Sequence, residues 1–321
     1  MRDIIRSSHS LPDIMRSPET VRELIEWGAH ELDKAGLAFG HGTDNAYDEA
    51  ASLVLSALQL GLTPDAGQLD APVGIDGINR TRQLVELRIT TRKPAAYLTR
   101  EAWFAGLPFY VDERTLVPRS PLAELVENRF SPWVVADHIS RVLDLCTGSG
   151  CIACACAVAF PQARVDAADL SADALAVADR NIRRHHMEQR VVAVESDVFS
   201  GLKGRHYDII VSNPPYVPCD VLSGLPAEYH HEPAIGLVAG RDGLDVVLQI
   251  LGNARHYLDK AGILVVEVGC SQPMLEAVFP EIPFTWLNFE YGGEGVFLLE
   301  RDQLDRYQTD IDRVVDSHIK P

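Results

Sequence analysis

Apolar residues along the chain fall into two regimes. Up to about residue 93 they recur at helical spacing. Val21, Leu24, Ile25 and Ala29 predict a helix opened at Pro18-Glu19, Ala46 to Leu60 predicts a second helix ended by Gly61 and Pro64, and Ile78 to Ile89 predicts a third. None of the three carries a catalytic constellation, so residues 1–93 read as a small helical bundle. Residues 94–118 change character: Ala96-Tyr97-Leu98, Trp103-Phe104 and Phe109-Tyr110-Val111 are short β-like runs broken by Gly106 and Pro108, which fits a hairpin or an extended bridge. A third region, residues 119–321, begins in Pro118-Arg119-Ser120-Pro121 and a short helix from Leu122 to Phe130.

From residue 141 the pattern alternates. Strands are expected at Arg141 to Leu145, Arg164 to Ala168, Val191 to Glu195, Tyr207 to Val211 and Ile263 to Val268. Helices are expected at Cys151 to Ala159, Ala172 to His185 and Leu244 to Tyr257. Two more strands follow Pro283 and join near Tyr291-Gly292-Gly293 as an antiparallel hairpin at the sheet edge. Alternation of this kind predicts an α/β fold, a seven-stranded, mainly parallel sheet with helices on both faces. Asp302 to Asp312 reads as a charged, exposed tail.

Composition narrows the partners. The chain has 321 residues, 46% of them hydrophobic, enough for a packed core. Lys plus Arg is 29 and Asp plus Glu is 46, a net charge of -17 that repels polyphosphate backbones and attracts basic partners. This argues against direct nucleic-acid binding. No segment has the apolar length to span a membrane, and MRDIIRSSHSLPDIMRS lacks the apolar core of a secretory signal. A cytoplasmic protein with six reduced thiols is the expectation.

Two motifs carry chemistry. Val142-Leu143-Asp144-Leu145-Cys146-Thr147-Gly148-Ser149-Gly150 is a strand running into a glycine turn and then a helix, the arrangement that brings backbone close to a nucleotide-like cofactor at the carboxyl edge of a sheet. The G-S-G spacing lacks the further glycine of the dinucleotide fingerprint, Ala153 standing at the next position. Asp169 ends the next strand, where a carboxylate can take both hydroxyls of a ribose. Asp144, Asp169 and Asp197 surround the expected site with negative charge, which suits a positively charged sulfonium better than a pyrophosphate.

The second motif, Asn213-Pro214-Pro215-Tyr216, follows the strand ending near Ser212 and so lies at the same edge. An amide nitrogen is a poor nucleophile because its lone pair is delocalised. A catalyst must hold both N–H bonds so that the lone pair points at the methyl group. The Asn213 side-chain oxygen can accept one N–H and the Pro214 carbonyl the other. The prolines stiffen the turn, and Tyr216 offers a flat face to a planar amide or base.

Other clusters are read plainly. Cys146, Cys151, Cys154 and Cys156 fit small apolar packing positions, so no metal is expected. His185-His186 ends a helix, and His230-His231 lies in the loop after the second motif, as a solvated turn or a lining of the cleft.

The two motifs and the text between them resemble the HemK-type N(5)-glutamine methyltransferases over roughly residues 90 to 300. The likeness rests on Leu116-Val117-Pro118-Arg119, Asp144 to Gly150, Asp169-Leu170-Ser171, Ser196-Asp197-Val198-Phe199, Asn213 to Tyr216, Glu232-Pro233-Ala234 and Asp242-Gly243-Leu244-Asp245. Where the release-factor branch usually continues Pro-Glu-Thr-Glu after Pro-Arg, this chain has Ser120-Pro121-Leu122-Ala123. With Cys146 and Glu228-Tyr229-His230-His231-Glu232-Pro233, this looks like the ribosomal-protein branch.

The resemblance implies a class I S-adenosylmethionine-dependent methyltransferase, Rossmann-like, with a helical N-terminal domain that recognises a basic ribosomal protein, the third of the large subunit. It implies S-adenosylmethionine contacts at Asp144, Cys146, Thr147, Gly148, Ser149, Gly150, Asp169, Asp197, Val198 and Asn213, leaving S-adenosylhomocysteine as product. It assigns Asn213, Pro214 and Tyr216 to catalysis, and Pro215, Phe104 and Arg119 with them to the substrate. Val198 stands where the release-factor branch often has an aromatic residue. The residues alone leave other readings open: the Gly-Gly-Gln glutamine of release factors, an exocyclic amine of a nucleic-acid base, or a nicotinamide-dependent oxidoreductase.

Overall fold

A computed structural model of the chain describes residues 19–61 and 63–319. The expectations for the first seventeen residues, and for Pro18 as the opening of a helix, lie outside the described residues. The chain divides into two compact units, residues 1–39 with 43–91, and residues 40–42 with 92–321.

The first unit holds α1 (Val21–Lys34), α2 (Ala46–Leu58), α3 (Ala66–Leu69) and α4 (Ile75–Thr91). The first helix starts in a capping box: the Thr20 hydroxyl accepts from the Glu23 N–H while the Glu23 carboxylate accepts from the Thr20 N–H. Its apolar stripe of Val21, Leu24, Ile25 and Leu32 is buried. α2 ends two residues before the expected Leu60, because Gln59 takes a left-handed conformation and returns its N–H to the Leu55 and Ser56 carbonyls. Inside the bundle, Arg88 is fully buried and its Nε donates to Glu49 Oε1 at 2.7 Å.

The second unit runs α5 (Ala95–Thr99), β1 (Ala102–Phe104), β2 (Leu107–Phe109), α6 (Leu122–Glu127), β3 (Arg141–Leu145), α7 (Cys151–Ala159), β4 (Arg164–Asp169), α8 (Ala172–Arg184), β5 (Val191–Glu195) and β6 (Tyr207–Ser212). It continues through α9 (Asp245–Ala254), β7 (Leu258–Glu267), α10 (Gln272–Val278), β8 (Thr285–Trp286), β9 (Val296–Glu300) and α11 (Arg301–Ile319). The expected strand character of Ala96 to Leu98 gives way to α5. A three-residue apolar run cannot distinguish the two periods, and the hydroxyl of Tyr97 fixes the helix by donating to the Thr115 carbonyl at 2.5 Å. β1 and β2 form the hairpin.

The seven-stranded sheet has the order β5-β4-β3-β6-β7-β9-β8. Five strands are parallel, and β9 inserts antiparallel between β7 and β8. The central strands β3, β6 and β7 are buried on both faces, which explains their near-continuous apolar runs. One face packs on α6 and α7, where Cys151, Cys154 and Cys156 behave as small hydrophobes. The other packs on α9 and α11. The segment expected as an exposed tail is therefore a packed helix. Leu304 and Ile311, seven apart in α11, are both 0% exposed, a stripe hidden among the surrounding charges. Among the described residues, no helix is long and apolar enough to cross a membrane.

Candidate functional site

The carboxyl ends of β3, β4 and β6 open on a cavity of about 190 Å³. Cys146, Gly148, Asp169, Asp197, Val198, Asn213 and Pro215 line it, all of them singled out from the sequence. The turn after β3 needs its glycines. Gly150 has φ 77, and a Cβ there would meet Ala178 Cβ at 3.1 Å and its Cα at 3.2 Å, where α8 passes. Asn181, fully buried on α8, fastens this turn by donating to the Ser149 carbonyl at 2.8 Å.

Asp169 holds the turn from the neighbouring strand. Its two oxygens accept from Gly148 N–H at 2.8 Å and Ser171 N–H at 2.9 Å. A carboxylate offers about four lone-pair sites, so these bonds leave it able to accept further donors. Burial pushes this carboxyl above its ordinary range, against the lowering effect of the backbone donors.

Asp144 does not sit at the cavity. Strand alternation turns Leu143 and Leu145 to the face carrying α9 and α11, and Asp144 to the face carrying α7. There its carboxylate accepts from the Thr147 hydroxyl, and from the Ala153 N–H at 3.0 Å. It thereby caps α7, whose N-cap Gly150 has no side chain to do so. Burial pushes it up to about 7. The expected ring of three carboxylates around the site is thus reduced to Asp169 and Asp197. Thr147, Ser149 and Gly150 likewise lie behind the lining.

Val198 is held at φ 47, an outlier for a β-branched residue. The Ser196 hydroxyl secures it, donating to the Val198 carbonyl at 2.7 Å and accepting from Gly201 N–H at 2.9 Å.

The Asn213-Pro214-Pro215-Tyr216 turn leaves β6 at Ser212, whose hydroxyl donates to the Leu145 carbonyl at 2.8 Å and so ties the two strand ends together. Among the described residues the Asn213 side chain has no hydrogen-bond partner, although it lines the cavity. Pro214 is buried and Tyr216 half-buried, and neither lines the cavity. Tyr216 is clamped at both ends. Its carbonyl accepts from the Ser271 hydroxyl at 2.7 Å and its own hydroxyl donates to Glu267 Oε1 at 3.1 Å. Its ring presses on Gly269, where a Cβ would come within 2.7 Å.

Glu267 was not legible as a site residue. It is 4% exposed, and its other oxygen accepts from the Ser120 hydroxyl at 2.5 Å. Burial, offset by these two donors, pushes it up to about 6. The one signal was a lone acid inside the apolar run Ile263 to Val268.

Arg119 makes a bidentate pair with Glu232, at 2.7 and 2.6 Å, while Glu232 also accepts from Val117 N–H. Its guanidinium fork is committed to this tie. Phe104 is 4% exposed within the apolar core beside Phe109 and does not reach the cavity. His230 is exposed and outside the lining. The remaining wall includes Leu170 and Ser171 of the quoted motifs and residues the sequence did not flag, among them Ala174, Ile235 and Val246.

Residues 130–221, from just before β3 to just past the Asn213 turn, match the family model of the methyltransferase small domain. The ribosomal protein uL3 glutamine methyltransferase of Francisella tularensis is 45% identical over 303 residues, covering 94% of this chain and 96% of the relative. The proteins of the same name from Neisseria gonorrhoeae and Neisseria meningitidis serogroup B are each 46% identical over 286 residues, covering 89% of this chain and 95% and 94% of theirs. With a class I methyltransferase sheet and relatives matched along nearly their whole length, the chain belongs to the family of ribosomal protein uL3 glutamine methyltransferases.

Proposed function

We propose that the protein methylates the side-chain amide nitrogen of a glutamine in ribosomal protein uL3, with S-adenosylmethionine as donor. The observation that carries this is the unpartnered Asn213 amide lining the same cavity as the Gly148 turn and Asp169. The residues present fit such a donor. A Cβ built on Gly148 meets no atom within 4 Å, so the missing side chain leaves cavity space open. Asp169 and Asp197 present carboxylates suited to ribose hydroxyls, and Leu170, Ala174 and Val198 offer apolar surface suited to adenine.

Bound S-adenosylmethionine supplies an electrophilic methyl group on a positively charged sulfur. The chain's part is to orient the acceptor. Asn213 Oδ1 takes one N–H of the glutamine amide and the Pro214 carbonyl the other, which turns the nitrogen lone pair toward the donor side. Pro214 and Pro215 hold these acceptors rigid, and the Glu267 and Ser271 clamps on Tyr216 hold the end of the turn. No base is needed beforehand, because the methylated nitrogen is acidic and releases its proton afterwards. Recognition of the protein substrate is assigned to the helical region, residues 1–93.

Purified protein incubated with S-adenosylmethionine and uL3 should add one methyl group to a single glutamine-containing peptide in mass spectrometry. A release factor and an adenine-containing oligonucleotide should gain none. Asn213→Ala should bind the donor nearly as the wild type does and lose about 10²–10³ in turnover, the scale of one preorganised polar contact. Turnover within roughly tenfold of wild type would remove the amide-holding role.

A further inference from the structure

The amino-terminal ends of the strands, opposite the methylation cavity, carry a row of arginines. Arg141 of β3 pairs directly with Arg164 of β4. Arg190 lies abreast on the next chain segment, its carbonyl accepting from Val165 N–H at 2.8 Å. With Arg205 they line a cup of about 110 Å³ that contains one acid, Asp166. This stands out in a chain with 46 acidic and 29 basic residues.

The acids at this edge are already engaged. Asp166 Oδ2 accepts from the Tyr207 hydroxyl at 2.7 Å and pairs with Arg205 at 2.9 Å. Asp208, at the start of β6, accepts from the Ser140 N–H and hydroxyl and from the Arg141 N–H, all at its Oδ2. Arg190 spends one nitrogen on carbonyls at the C-terminal end of α7, Ala157 at 2.8 Å with Phe160 and Ala163 at 3.4 Å, and no acid pairs with it among the described residues. Among the described residues, the guanidinium groups of Arg141 and Arg164 have no hydrogen-bond or ion-pair partner.

Two like charges directly opposite on paired strands repel. Here they line a cup at the surface together with Arg205 of the β5–β6 connection. Guanidinium forks match the oxygens of a phosphate group in pairs.

We propose that this edge is an oxyanion site that takes a phosphate group, with Arg141 and Arg164 as principal ligands and Arg190 and Arg205 as its basic rim. The cup admits one phosphate group and not a whole nucleotide. Two sources present that chemistry: a phosphodiester of an RNA accompanying the protein substrate, and free inorganic phosphate. Five residue steps along β4 separate Arg164 from Asp169, roughly 16 Å of strand, so a ligand here does not compete for the methylation cavity. The inference stands independently of the methyl-transfer reading.

The test uses the full chain, the double variant Arg141→Gln/Arg164→Gln, and the control Arg183→Gln/Arg306→Gln, which removes the same charge from exposed positions elsewhere. Millimolar inorganic phosphate, against chloride at matched ionic strength, should raise the thermal midpoint of wild type and control by about 2 °C or more and leave the double variant unmoved. A labelled single-stranded RNA should bind wild type at least about tenfold more tightly than the double variant, with the salt slope falling by roughly 1 to 2 in the variant. A response to phosphate without RNA binding supports the site with free phosphate as its source. An RNA response lost in the double variant supports it with a phosphodiester as source. A wild type that responds to neither ligand, or a double variant that responds like wild type, overturns the proposal. Both changes fall on exposed side chains and relieve a like-charge repulsion, so unfolding in the absence of ligand should stay cooperative with a midpoint no lower than wild type's, and that curve verifies that loss of binding is not loss of fold.

Discussion

Glu267 shows how a single buried acid can set the pH response of a site. Its carboxyl moves from an ordinary 4.5 to about 6 because burial disfavours the charge more than Ser120 and Tyr216 favour it. A group raised on folding contributes stability that is complete below 4.5 and is lost as the pH climbs through about 6. Glu267→Gln removes that titration. Between about pH 4 and 7, urea unfolding of the two proteins should diverge in favour of the variant by about 2 kcal/mol, the equivalent of 1.5 units. A difference that stays flat with pH would mean Glu267 is not the titrating group. Asp144, raised to about 7 by its own burial, shifts in the same sense in both proteins and cancels from the difference. His185, lowered mainly by burial, works oppositely below its ordinary 6.5 and also cancels.

At the level of elements, α11 is the clearest test of packing. If Leu304 fills the core as its complete burial indicates, Leu304→Ala should cost about 2–5 kcal/mol in chemical denaturation. A cost near zero would restore the reading of residues 302–312 as a solvated tail. That reading failed because charge density was weighed above period. Leu304, Tyr307, Ile311 and Val314 lie three and four apart, yet all seven of the intervening positions are polar or charged. The parallel strands were legible for the opposite reason. In β3, β6 and β7 burial on both faces leaves little but Val, Ile and Leu; edge strand β5 and helix α7 also emerge with the expected ends at both termini. Of the site, the turn glycines and Asn213 were legible because their chemistry is local to a few residues. Glu267, the clamp on Tyr216 and the inward rotation of Asp144 were not, since each depends on which face of a strand meets which helix. Phe104 and Arg119 were legible as residues but not as contacts: one is core, the other is bound to Glu232.

For the molecule as a whole, the net charge of -17 is the long-range feature that the proposed recognition of a basic ribosomal protein rests on. Long-range attraction accelerates encounter and is screened by salt within about 10 Å at 0.1 M. Raising ionic strength should therefore raise the KM for uL3 several-fold while kcat changes little. Reversing charge at Glu26 and Asp44, exposed acids of the helical unit, by Glu26→Lys with Asp44→Lys should do the same at low salt. The KM for S-adenosylmethionine should not move. If the double reversal leaves the KM for uL3 untouched, the assignment of substrate recognition to residues 1–93 fails.

The left-handed backbone at Val198 has a consequence for how the protein can change. A β-branched residue there holds roughly 1–3 kcal/mol of strain, which glycine would release. Val198→Gly should therefore melt at a higher temperature and bind the methyl donor more weakly, having lost the isopropyl surface beside the cavity. Calorimetry and a donor titration would separate the two effects. A library selected for heat resistance alone would drift toward glycine or asparagine at this position. One selected for turnover at limiting donor would keep valine, and the residue found in any descendant records which pressure was the stronger.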